Sequence, residues 1–91
     1  MTVTKENKVF LEGLIEYYIS EAQSYREMAQ EYSLKIDSVP DTTFGIIIGC
    51  IYSSFLQTYS NQKLTPTVQD VQEFTEIIMM KSNAIMDAIK K

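Results

Sequence analysis

The apolar positions of this 91-residue chain recur at helical intervals in three stretches. In the first, Leu11, Ile15, Tyr18, Ala22, Tyr25, Ala29, Tyr32 and Ile36 alternate steps of four and three residues. A period of about 3.5 residues is a seam that packs along a neighbouring helix at a shallow angle. The spacing predicts one long helix over residues 4–36. Phe10, Leu14, Tyr17 and Met28 widen the stripe on one side, and Glu21 falls among them. A carboxylate at that position either reaches water at the stripe's edge or meets a partner. Glu12, Glu16, Gln23, Glu27, Gln30 and Glu31 fall on the opposite, solvated face.

The second stretch organises the rest. No charged residue occurs from Thr42 to Gln62. Wound as a helix, it gathers Phe44, Ile48, Ile51, Tyr52, Phe55, Leu56 and Tyr59 on one wide apolar face. Gly45, Gly49 and Ser53 make a strip of small residues along the edge. The strip is expected to be a place of close helix packing. Pro40 ends the preceding helix, because proline lacks an N–H and biases its neighbour away from helical geometry. Ser38 and Asp41 have the spacing of a capping box, with Asp41, Thr42 and Thr43 as rival caps. The second helix is expected over about residues 41–60.

In the third stretch, Thr65 before Pro66 gives a cap followed by a proline suited to the first helical position. The helix is expected over about residues 66–89. Val68, Val71, Thr75, Ile78, Ser82, Ile85 and Ile89 form its seam. Ile77, Met80, Ala84 and Ala88 form a second stripe more than about 100° away. One helix needs one core-facing stripe, so the second is expected to face a partner.

Composition narrows the chemistry. The chain has no histidine, which removes Ser-His-Asp and Cys-His catalysis and His-ligated metal sites. No glycine-rich phosphate loop and no CxxC pair occurs, and the glycines of the second stretch lie within an apolar run. No catalytic residue, cofactor or metal site is expected. Net charge is −4 with a pI near 4.6, and Arg26 is the single arginine. Direct nucleic-acid binding needs clustered cations and is not expected. The single cysteine, Cys50, excludes an internal disulfide and is expected to be buried and inert. Thr42, Thr43, Ser53, Ser54, Gln57, Thr58 and Ser60 dilute the apolar stretch, so a membrane span is not expected. The first residues carry no signal-peptide pattern, and a cytoplasmic setting is expected.

These readings combine into an all-α, three-helix up-down-up bundle, a single domain over residues 1–91 with a long N-terminal helix. The first helix is too long to be covered by the other two, and its surplus seam includes Tyr25 and Tyr32. Tyrosines at such positions also pack their rings within a bundle and leave their hydroxyls in water. Uncovered apolar surface there, together with Ile77, Met80, Ala84 and Ala88, points to a non-enzymatic protein–protein interaction module. Such a module is a small subunit of a larger assembly or a homodimeric adaptor. The alternative is an accessory subunit of a nucleic-acid-processing complex that contacts protein rather than DNA.

Overall fold

The computed structural model describes residues 3–91. The described residues form an all-helical fold of four α-helices, with no strand. They are α1 (Lys5–Ser20), α2 (Ala22–Gln30), α3 (Val39–Asn61) and α4 (Val68–Lys90), with a short 3-10 turn at Ser33–Lys35. The continuous first helix expected over residues 4–36 is thus divided at Glu21 and stops at Gln30.

A back-bonding serine stands at the division. The Ser20 hydroxyl donates to the Tyr17 carbonyl at 2.6 Å, and the Glu21 N–H donates to the same oxygen at 3.1 Å. A serine that bonds back into its own helix competes with the backbone ladder and bends it. Glu21 adopts φ −103° and ψ 11°, and Ser24 N–H reaches the Glu21 carbonyl three residues back. The break does not disturb the phase of the seam. Leu11, Ile15, Ala22 and Ala29 are all buried, on both sides of it. Beyond Gln30 the chain tightens into three-residue steps, with Tyr32 N–H on the Ala29 carbonyl and Lys35 N–H on the Tyr32 carbonyl.

Ser38 caps α3, its side chain accepting from Asp41 N–H at 3.2 Å, so the earliest of the rival positions prevails. Pro40 then lies in the first turn, where a missing N–H costs nothing. The other end closes on Lys63, which takes a left-handed φ of 59°. Leu64 N–H bonds the Tyr59 carbonyl and Lys63 N–H the Ser60 carbonyl, the paired bonds of a Schellman ending. The cap of α4 is Thr67, two residues after the expected Thr65. Thr67 Oγ1 accepts from Asp70 N–H at 3.0 Å, and Asp70 Oδ2 accepts from Thr67 N–H at 2.8 Å. That reciprocal pair satisfies two N–H groups at once, which a Thr65 cap with Pro66 behind it does not match.

Helix α3 packs against α1, α2 and α4 and supplies the middle of the core. Ile47, Ile51 and Phe55 meet Leu11 and Ile15 from α1 and Ile78, Ile85 and Ile89 from α4. Phe55 stacks obliquely on Phe74 at 4.8 Å, and Tyr52 lies 5.1 Å from the same ring. By length and composition α3 could cross a membrane, with a mean hydropathy of 1.3 over its most apolar window. In this fold 22% of that window is buried, and its line Ile47, Ile51 and Phe55 lies in the core.

Two side chains of α2 hold the end of α4. Gln23 Nε2 donates to the Ala88 carbonyl at 2.7 Å, and the Arg26 guanidinium donates to the Ile89 carbonyl at 2.7 Å. The last carbonyls of a helix lack partners of their own, and a cation there also opposes the negative end of its dipole.

Candidate interaction surface

The residues expected to face a partner separate into two groups. Ile77 is 9% exposed and belongs to the core, so it is not a surface residue. Ala88 and Tyr25 are half-buried and packed against the same core. Met80 is 82% exposed, Ala84 is exposed and Tyr32 is 59% exposed. The reason is that the buried face of α4 is broader than the expected seam and starts on a different phase in its first turns. Its buried line runs through Asp70, Phe74, Ile77, Ile78, Ile85 and Ile89. The expected seam residues Val68 and Thr75 therefore point outward and are exposed.

The small-residue strip of α3 is likewise not a packing contact within the chain. Gly45, Gly49 and Ser53 are exposed, and a methyl built on either glycine meets nothing within 4 Å. The buried line of α3 is Thr43, Ile47, Ile51, Phe55 and Tyr59, a four-residue repeat that turns the glycines away from the core. Cys50 is half-buried rather than enclosed.

A different stripe is open. Phe10, Leu14, Tyr17, Glu21, Ser24 and Met28 are separated by four, three, four, three and four residues. That is a second heptad line beside the core seam, running across the break between α1 and α2. Phe10, Tyr17 and Met28 are 45%, 53% and 49% exposed. The spacing was present in the sequence, but those residues read there as a widening of the core stripe. Midway along the line, Tyr17, Glu21, Ser24, Tyr25 and Met28 line a cleft of ≈290 Å³.

The aromatic wall of this cleft is built in layers. Tyr17 meets Tyr18 edge to face at 5.1 Å, and Tyr18 meets Tyr25 at 5.4 Å. Burial, followed by the nearby Tyr25 and Cys50 groups, pushes the Tyr18 phenol above its ordinary value of 10.0. Tyr18 therefore sits behind Tyr17 and Tyr25 as a neutral support across the ordinary pH range. Glu21 is half-buried, and its carboxylate makes no hydrogen bond or ion pair among the described residues.

A polar cluster occupies the opposite end of α1. Asn7 is buried and exchanges two amide hydrogen bonds with Gln62, at 3.2 and 2.9 Å. Tyr59, Asp70 and Glu73 lie beside it, and the Val3 N–H donates to Glu73 Oε1 at 3.3 Å. Burial, then the Asp70 carboxylate, raise the Tyr59 phenol above 10.0, against the pull of the Asn7 amide. These bonds tie the start of α1 to the α3–α4 connection and the start of α4. Among the described residues, no group of three or more Cys, Asp or Glu side chains could hold a metal ion.

Comparison with protein-family models, with curated proteins and with solved structures finds no match.

Proposed function

We propose that this chain is a non-enzymatic protein–protein interaction module of the cytoplasm, a small helical subunit of a larger assembly. Taking α1 and α2 as one bent arm, we interpret the architecture as three layers in up-down-up order. The observation that carries the proposal is the exposed heptad line of the arm. Scattered apolar side chains are ordinary on any surface. Phe10, Tyr17 and Met28 are not scattered: they share one line with Leu14 and stand about half in solvent. A helix laid along that line would cover them as the core seam covers the other side. The absence of histidine supports a binding role over catalysis.

The test is association measured against surface variants. The purified chain is examined by native mass spectrometry and sedimentation, alone and after cross-linking in its source cells. The expected result is a complex that is lost with Tyr17→Glu and Met28→Glu together, while circular dichroism of the variant is unchanged. A monomer with no cross-linked partner, or a complex indifferent to both substitutions, removes the proposal.

A further inference from the structure

We propose that the cleft at the α1–α2 break receives an arginine side chain presented by a partner helix lying along the Phe10–Met28 line. This rests on the interaction role proposed above and names what the partner must carry.

Three observations lead there. The first is charge. Glu21 is the one charged group lining the cleft, and its carboxylate has no partner among the described residues. From Val9 to Tyr25 the chain has three carboxylates, Glu12, Glu16 and Glu21, and no lysine or arginine. The facing stretch of α3 has no charge at all from Thr42 to Gln62. The nearest cation in sequence, Arg26, is committed to the Ile89 carbonyl at 2.7 Å. The charges nearest in sequence before the cleft are therefore all negative, and among the described residues no cation pairs with Glu21.

The second is the wall. Tyr17 and Tyr25 present rings, and Met28 a thioether, around that carboxylate. Aromatic faces attract cations, more strongly where water is displaced. Tyr18 braces both rings at 5.1 and 5.4 Å, so the wall is set before anything binds. A planar guanidinium can stack on a tyrosine ring and fork onto a carboxylate together, which an ammonium cannot do as well.

The third is size and source. At ≈290 Å³ the cleft lies at the lower edge of small-molecule sites, which run from about 300 to 1,000 Å³. One side chain suits it better than a cofactor. Its position midway along a heptad line makes a helix the natural carrier. A second copy of this chain is a poor donor, because Arg26 is its single arginine and is already engaged. The partner is thus a different protein, with a basic residue at one seam position of an otherwise apolar helix face.

The test titrates the full isotope-labelled chain at low salt with a designed three-heptad amphipathic peptide. One version has a central arginine and the other has citrulline, which keeps the shape and removes the charge. The expected result is amide shifts at Tyr17, Glu21, Ser24 and Met28, with the arginine peptide tighter by about ten-fold, as a desolvated charged pair provides. That advantage should shrink as salt rises. Glu21→Gln should abolish it, and Tyr17→Leu should reduce it while leaving citrulline binding in place. If Glu21→Gln disturbs the helix break, Tyr17→Leu and the salt series still decide. Equal binding of the two peptides removes the arginine and leaves the interaction role standing. Shifts elsewhere, or none with either peptide, overturn this inference. The interaction role itself falls only on the association measurement with Tyr17→Glu and Met28→Glu.

Discussion

Asn7 and Gln62 pair their side-chain amides in a closed two-bond ring, although 55 residues separate them. The two partners are unequal. Asn7 is buried and Gln62 is exposed. Removing the exposed partner takes both amide–amide bonds from a buried group. We expect Gln62→Ala to cost about 1–3 kcal/mol, the penalty for such a group. Ordinary surface substitutions stay within about 0.5 kcal/mol. The urea midpoint measures the difference, and a change of surface size would show that the ring contributes little.

Gly49→Ala should stabilise the fold. The position lies in the interior of α3 and the added methyl has nothing within 4 Å. Alanine is favoured over glycine there by about 0.8–1.0 kcal/mol. A lowered thermal midpoint for the isolated chain would mean that something does approach the strip.

Ile77 and Met80 should respond oppositely to charge. Ile77→Lys places an ammonium among core side chains, and loss of the cooperative unfolding transition is expected. Met80→Glu changes a side chain standing in water and should move stability by no more than about 0.5 kcal/mol. Circular dichroism with thermal melts on each single variant separates them. Comparable damage from both would contradict the burial of Ile77 and the exposure of Met80.

Alkaline pH should weaken the fold through Tyr59. Its phenol is held above 10.0 by burial and by Asp70, so the unfolded chain ionises first. The stabilising contribution is full below pH 10.0 and is lost as pH rises through the folded value. Tyr59→Phe should flatten part of that decline, with Tyr18 supplying the remainder because it is shifted the same way. Denaturation midpoints from pH 8 to about 11.5, the range spanning phenol ionisation, test this. Parallel curves for the variant and the parent would exclude Tyr59 as the cause.

The helical class and the core seam from Leu11 to Ala29 were legible because a steady period survives a one-residue break. The break was not, since a back-bonding serine such as Ser20 also stands at Ser82 inside the unbroken α4 and so carries no signal by itself. The α4 cap was written in the sequence. Thr67 and Asp70 have the same spacing as Ser38 and Asp41, but Pro66 drew attention to the threonine before it. The face of α4 was legible only in its second half. A seam started from Val68 drifts onto Ile78, Ile85 and Ile89, which are buried, while its first turns are not. Phe74 and Asp70 set the early phase instead, through ring packing on Phe55 and the capping box. Similarly, small residues in an apolar helix indicate room for a neighbour, not that one is present. The open arm surface was half legible: the spacing was visible, but only packing could show which of two adjacent stripes is spent on the core.

The clasp between α2 and the end of α4 links the two in time as well as in space. Gln23 and Arg26 supply partners to the Ala88 and Ile89 carbonyls, which the last turn of α4 cannot satisfy itself. Displacing α2 would therefore remove the caps from a helix end some 65 residues away in sequence. Amides of the two segments should exchange with deuterium as one cooperative unit. A partner that grips the arm would then slow exchange at a helix end it never touches.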